Sequence, residues 1–561
     1  MTARQDLEKA YKLYKDDKLE EAETICKDVA DNNPKYSKVF QLLSQIYNRK
    51  GEILTAEKYI KQALSLAPDD AECLNSYGNI FKKMRQLQKA KEKYNESLKI
   101  APGYLAATQN LGELYLKEKN PLKAADIFSQ GLVHNPDHPI LQRGLLYALK
   151  DSHQTDAAMQ LLDTMPPSPD LQFTAGQLMS EAGYIVEAKS AFLQGMAHPQ
   201  TAIMAYKNLV QFTWMQEGLE NAGKVIAGLI SQNPETEFLQ TTGAALFHGM
   251  GDTESAKNLL DQYEKKFGPH FHTHALHAQF AVEHDDGQSA FEHAEAGLKL
   301  NPGNPELMSL YAKSALMTER YDTVLEAASQ VLKFQPDHQF WLAVLATAQR
   351  GLNKNYHTLY DYKKFVKSYI IEAPPEYDDQ TAFLSELKTT LINMHEFRHH
   401  PIGQSLIGGT QTSPDLRFSE SHVIQDFFQA LSDPIHDYLN QIGHEKDHPL
   451  TRRNVGNYRL AGAWSVWLRG EGFHVNHVHP EGWISSSFYV DVPNDTHNNP
   501  DKKGWIKFGE PPVKVPGMDA EHFIGPKAGQ LVLFPSYMWH GTIAIDPDAS
   551  RLTLPFDALP T

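Results

Sequence analysis

A proline recurs every 34 residues near the start of this chain, at Pro34, Pro68, Pro102 and Pro136. A fixed period of that length means one supersecondary unit repeated, each burying its apolar face against the next. Twelve residues before each proline stands an alanine: Ala22, Ala56, Ala90 and Ala124. Larger residues keep the same phase, as in Tyr47, Phe81 and Tyr115, then Ile60, Tyr94 and Phe128, while Gly78 and Gly112 take positions of close contact. Small residues let helix axes approach, and proline, lacking an N–H, ends the second helix of a unit. Paired helices are therefore expected here.

Beyond Pro136 the pattern loosens, yet the period returns at Pro234, Pro302 and Pro336. DAAMQLLDTMPP, VEAKSAFLQGMAHP, ENAGKVIAGLISQNP, ESAKNLLDQYEKKFG and SAFEHAEAGLKLNP read as successive second helices. The pattern resembles the tetratricopeptide repeat, and about ten repeats are expected over residues 1–374, the later ones degenerate. The resemblance implies a superhelix whose concave face takes a peptide or protein partner. Two tempting motifs in the array read as packing. Gly218 to Val225 nearly spells a phosphate-binding loop, but valine replaces the magnesium-holding hydroxyl and no strand precedes it. His270, His272, His274 and His277 straddle a repeat junction without carboxylate or cysteine support.

Composition closes off several classes. A formal charge of −16 leaves no basic footprint for nucleic acid. Two cysteines, Cys26 and Cys73, are too few for a disulfide framework or a cysteine-rich zinc site. No apolar stretch reaches transmembrane length, and the first residues lack the apolar core of a signal peptide. A cytoplasmic protein without membrane contact is the expectation.

The last third differs in character. It holds 13 of the 26 histidines and five of the seven tryptophans. A domain over residues 375–561 is expected, with a helical lead-in over 375–453 and a barrel core over 454–561. The lead-in carries two helical segments, DDQTAFLSELKTTLINMHEFRHHP and SHVIQDFFQALSDPIHDYLNQIG, around a Gly-rich loop at Gln404–Thr412. AGAWSVWLRG, WISSSFYVDVP, GWIKFGEPP, GQLVLFP and RLTLPFDAL then read as short strands bounded by turn residues. Such a series points to a sandwich or barrel with helices on one side.

Chemistry concentrates in FHVNHVHP. On extended backbone, residues i and i+2 face the same way, so His477 and His479 point together and His474 points across. Two imidazoles at one strand end suit a transition metal, and His540, in FPSYMWHGT, is the best distant residue to complete the site. Eleven residues further on comes Arg551, then Thr553, on one face of RLTLPF.

This arrangement resembles the Fe(II)- and 2-oxoglutarate-dependent oxygenases of the double-stranded β-helix, or jelly-roll, fold. HVHPEGWISSSFYV and LVLFPSYMWHGT carry the likeness most closely. It implies a multidomain chain: an all-α tetratricopeptide-repeat superhelix followed by a jelly-roll domain with flanking helices. It also implies Fe(II) at His477, His479 and His540. The cosubstrate 2-oxoglutarate would lie on Arg551, whose fork suits a carboxylate, with Thr553 and Tyr489 in reach of the same group. The implied reaction is hydroxylation of a peptide or protein presented by the array. The chain departs from the family at His479, where the pattern has Asp or Glu. A three-histidine site, a two-histidine site completed by water, and a site recruiting Glu481 or Asp491 all remain open at this level. Two rivals stand beside the oxygenase: a non-catalytic scaffold with a degenerate cupin-like barrel, and a zinc-dependent hydrolase or isomerase, which can use the same three imidazoles.

Overall fold

Thr2 starts the first helix, Ala3–Lys15, with a capping box: its hydroxyl accepts the Gln5 N–H while the Gln5 side chain accepts the Thr2 N–H. From there paired helices continue to Gln339–Gly351. The computed structural model describes residues 2–413, 415–493 and 496–561, and the chain divides into two units, Met1–Pro167 and Ser168–Thr561.

In the first unit the 34-residue plan is literal. Helices end at Asn32, Leu66, Ile100 and His134, just ahead of the four periodic prolines. Ala22, Ala56, Ala90 and Ala124 are fully buried where helices cross. Gly112 lies under Phe128, and a Cβ placed there would overlap the ring's Cζ. Gly112→Ala should therefore destabilise the unit by about 1–3 kcal/mol through overpacking, read as a lower denaturant midpoint at unchanged slope. An unmoved midpoint would remove that packing role. Cys26 and Cys73 are free and buried, and burial pushes both thiols to about 12, so they act as packing residues.

The segments expected as second helices are helical: Thr155–Thr164 in the first unit, and Ile185–Gly195, Leu219–Gln232, Thr253–Phe267 and Gly287–Leu300 in the second. Of the near-miss phosphate loop, Gly218 caps helix Leu219–Gln232 and the rest lies within it, following another helix and tying Lys224 to Glu220. Among the described residues no helix is long and apolar enough to cross a membrane.

After Gly351 the helical pairs stop. A short helix, Tyr362–Phe365, leads into strand β1, Lys367–Ile370. The later strands are β2 (Leu406–Gln411), β3 (Tyr458–Ala463), β4 (Val466–His474), β5 (Ile484–Asp491), β6 (Ile506–Phe508), β7 (His522–Ile524), β8 (Gln530–Pro535), β9 (His540–Thr542), β10 (Ser550–Thr553) and β11 (Phe556–Pro560). One antiparallel sheet runs β1-β8-β5-β10-β4-β2, with β11 pairing both β5 and β3; a second runs β7-β6-β9. The first sheet thus takes its outer strand, β1, from residues counted with the array. Helix Gln380–Asn393 packs on β5, and Phe383, Leu387 and Phe427 join Phe488, Leu531 and Leu533 in one core.

Several local expectations change. The Gly-rich stretch Gln404–Thr412 contains a strand, β2, not only a loop. There Gly408, at φ 69°, comes so close to Gly472 of β4 that a side chain would block the pairing. AGAWSVWLRG divides into β3 and β4, and RLTLPFDAL into β10 and β11 on either side of Leu554-Pro555. The second lead-in segment is two helices, His422–Ala430 and Ser432–Ile442, separated at Leu431.

Candidate metal centre

β4 ends at His474, the chain bends at Asn476, and a single antiparallel bridge then ties His477 to His540 at the start of β9. The two residues exchange backbone hydrogen bonds: His477 N–H to His540 O at 2.8 Å, and His540 N–H to His477 O at 3.1 Å. Residues paired in this way project their side chains to the same side, and the two ring centroids lie 4.2 Å apart. His479 is fixed by its N–H to Ser536 O at 3.0 Å, with its ring 5.2 Å from that of His477 and 5.1 Å from that of His540. One ring nitrogen from each residue lies within 4.8 Å of the others. Among the described residues no other group of His, Cys, Asp or Glu is gathered closely enough to hold a metal ion.

The outer nitrogens decide what the inner ones can be. His477 Nδ1 meets Val475 O at 2.8 Å, and His540 Nδ1 meets Met538 O at 2.9 Å. A carbonyl oxygen only accepts, so both Nδ1 atoms carry the proton and both Nε2 atoms keep a lone pair. His479 Nδ1 meets the Asp557 carboxylate, at 2.6 Å from Oδ1 and 2.8 Å from Oδ2, which favours the same tautomer. The Nε2 atoms of His477 and His479 lie 3.2 Å apart. A proton on one of them, or a cation between them, joins such a pair. Burial, followed by His479, pushes the His477 pKa down to about 3; burial, with His477 and His479, holds His540 well below the usual range. Neutral imidazoles whose Nδ1–H is tied to oxygen are the form in which histidine binds a metal. These residues fit a divalent transition metal.

Beside them lies a buried cation. Arg551 is 1% exposed; its Nη1 donates to Gly504 O at 2.7 Å, but among the described residues its Nε has no partner. Burial lowers its pKa, yet a guanidinium stays charged. The Tyr489 ring centroid lies 5.7 Å from the guanidinium carbon, and the buried Tyr489 hydroxyl has no well-formed hydrogen bond. Thr553 Oγ1 makes only a long bond, 3.5 Å, to Val466 O. Buried polar groups without partners are unfavourable by about 1–3 kcal/mol each, more for charged groups. Arg551 and Thr553 line a cavity of about 1050 Å³ together with the three histidines, whereas Tyr489 lies behind Arg551, off the wall. A carboxylate ligand fits this end of the cavity.

Residues 462–557 match the family described as "Putative 2OG-Fe(II) oxygenase", and residues 37–70 and 71–104 each match the tetratricopeptide repeat. The chain joins tetratricopeptide repeats to a domain of this oxygenase family. The three histidines, Arg551, Thr553 and Asp557 all fall within the matched oxygenase segment. No curated protein matches the chain. Among solved structures, the pilF protein of Pseudomonas aeruginosa is 18% identical with a TM-score of 0.31, over 34% of this chain and 89% of its own. A tetratricopeptide repeat protein of Parabacteroides merdae is 16% identical with a TM-score of 0.27, over 55% of this chain and 97% of its own.

In the oxygenase domain, sequence reasoning missed Asp557. It stands on β11, where Ser485 Oγ donates to its Oδ1 at 2.7 Å, and it backs His479 with the negative charge that an imidazole lacks. Parity was the available signal: Arg551, Thr553, Pro555 and Asp557 alternate along the chain and all line the cavity. Of the two acids considered as replacement ligands, Glu481 lines the cavity and Asp491 is paired with Lys388 at 2.8 Å; neither belongs to the gathered group. His474, expected to point across, also lines the cavity, because the bend at Asn476 interrupts the strand alternation. Its Nδ1 lies 3.0 Å from Ser405 Oγ.

Part of the cavity lining comes from helices before the sheet. Gln279, Val282 and Glu283 of helix Phe271–Glu283, Asp285 just after it, and Lys313 of helix Pro305–Met317 complete the lining. The histidines of PHFHTHALH pack locally, His277 against Glu264 at 3.1 Å and His274 against His293 at 3.2 Å.

Proposed function

We propose that the chain is an Fe(II)- and 2-oxoglutarate-dependent dioxygenase that hydroxylates a peptide or protein presented by its repeats. One juxtaposition carries the reading: three imidazoles, one ring nitrogen of each gathered within 4.8 Å, beside a buried guanidinium whose Nε has no partner among the described residues and the buried Thr553 hydroxyl, held by one long bond. His477, His479 and His540 would hold the ferrous ion. Arg551 and Thr553 would hold the far carboxylate of 2-oxoglutarate, with Tyr489 supporting the guanidinium. When both are bound, the site supplies oxidative decarboxylation of 2-oxoglutarate to succinate and CO₂, one atom of O₂ entering succinate and the other a substrate C–H bond.

The chain's own groups do the positioning. Three protein donors leave room for cosubstrate and oxygen, as an oxygenase needs. Asp557 and the carbonyls of Val475 and Met538 hold each Nδ1–H, so each Nε2 keeps its direction. The rigid fork of Arg551 orients a carboxylate better than a lysine ammonium would. Trp464 and Phe534 give the cavity apolar surface that limits water.

We read 375–561 as the oxygenase domain, jelly-roll in its core at 454–561, with the array over 1–374, although strands β1 and β2 join the sheet from outside that core. The repeats support a protein or peptide partner at their concave face, and the two free buried thiols suit a reducing cytoplasm. A zinc hydrolase would use the same imidazoles but leaves Arg551 without a purpose, and a degenerate barrel leaves both groups unexplained.

In air, the anaerobically purified and iron-loaded chain is expected to convert 2-oxoglutarate to succinate. Retained zinc with no succinate would contradict the reading. Asp557→Asn should weaken metal affinity about 10–100-fold without unfolding the chain, because the amide cannot repeat the carboxylate's two contacts. Cobalt(II) titration of the purified variant measures this, and unchanged affinity would remove Asp557 from the site.

A further inference from the structure

We infer that Lys313, on helix Pro305–Met317 of the repeats, is the specificity residue of the oxygenase cavity and pairs with a carboxylate of the substrate. The inference rests on the oxygenase reading of that cavity and adds the chemistry of what enters it.

The repeat-side wall contributes three charged residues, and two are already matched. Glu283 meets His248 Nε2 at 2.9 Å. Asp285 meets Lys514, itself a lining residue, at 3.2 Å. Lys313 lines the same cavity half-buried, and among the described residues no hydrogen bond or ion pair reaches its ammonium. Burial lowers its pKa, with Glu306 acting in the opposite direction. A lysine on a repeat helix would ordinarily extend its flexible stem until the ammonium reached water. This one lies in the lining of the catalytic cavity, where a methionine of similar length would fill the space without desolvating a charge.

Arg551 and Lys313 line the same cavity from different elements, one from the sheet and one from a helix of the repeats. With Arg551 given to the cosubstrate, Lys313 is left for the substrate. An ammonium is a compact point charge without a planar fork, and a single carboxylate matches it.

The test is a binding measurement on the full chain without metal, so it does not depend on turnover. Excess 2-oxoglutarate is present throughout to occupy Arg551. The probes are end-blocked pentapeptides with a central Glu, Gln or Lys, a glycine pentapeptide with a free α-carboxylate beside its amide, and glutarate. Fluorescence of Trp464, which lines the cavity, reports binding, with a Trp464→Phe chain identifying its contribution. At least one carboxylate probe should bind about thirtyfold or more tighter than its neutral counterpart, or than the amide peptides in the case of glutarate. The probe that does so separates a side chain, a chain end and a free acid.

Lys313→Met should erase the difference, Lys313→Arg should keep most of it, and Lys313→Glu should move the preference to the lysine peptide. A merely structural lysine would not reverse preference with charge. Equal binding of charged and neutral probes, no binding of any probe, or discrimination that survives Lys313→Met would overturn the proposal. Failure of the oxygenase reading looks different: carboxylate discrimination would persist while ferrous ion and 2-oxoglutarate gave no succinate.

Discussion

His540→Ala is expected to abolish ferrous binding and succinate formation together, lowering turnover by at least about 10³-fold, as for members of a site that acts as a unit. The reason is geometric. His540 is the buried member of the triad and comes from a strand remote in sequence, so neither His477 nor His479 can replace its Nε2. The backbone bridge between His477 and His540 uses main-chain atoms only and survives the substitution. The imidazole's space, next to Phe534, becomes a small cavity, a loss of about 1–3 kcal/mol that leaves the domain folded. Thermal melting and metal analysis of the purified variant check the two halves separately. Turnover within tenfold of the parent chain would show that the three histidines do not act together.

Arg551→Met should give effects of opposite sign on stability and cosubstrate binding. Affinity for 2-oxoglutarate is expected to fall by roughly 30-fold to several thousandfold, the range for losing one partner of a buried charge pair. Stability of the ligand-free chain should hold or rise, because methionine fills similar volume without a buried, incompletely partnered charge. The loss of the Nη1 bond to Gly504 O limits that gain. Arg551→Lys keeps the charge but not the fork and should lie between. Equilibrium binding of 2-oxoglutarate and a denaturant melt read the two quantities. Unchanged affinity with lowered stability would make Arg551 a structural residue.

Much of this molecule was legible because its signals are periodic. Pro34, Pro68, Pro102 and Pro136 set the repeat, and the buried alanines follow at fixed offset. Alternation brought Arg551 and Thr553 to one face, and the i, i+2 spacing of His477 and His479 brings their rings together on backbone held by only one bridge. What stayed hidden lacks a period. β7 and β9 are three residues each, too short to alternate, and β2 is disguised by Gly408 and Gly409, whose value is close backbone approach. Asp557 lies beyond a proline that splits the apparent strand. Lys313 reads as an ordinary helix lysine; only the stacking of the repeats against the sheet within the second unit brings it to a cavity lined mostly by residues beyond Gly403.

The most direct measurement is an anaerobic titration of the metal-free full chain with ferrous ion and 2-oxoglutarate, followed by visible absorption and then by admission of air. The expected result is a weak charge-transfer band that needs both additions, saturates at one equivalent of iron, and disappears in air as succinate forms. His540→Ala and Arg551→Met should lack the band under the same conditions. A wild-type chain that shows no band at saturating ferrous ion and 2-oxoglutarate, and releases no succinate, would contradict the oxygenase assignment.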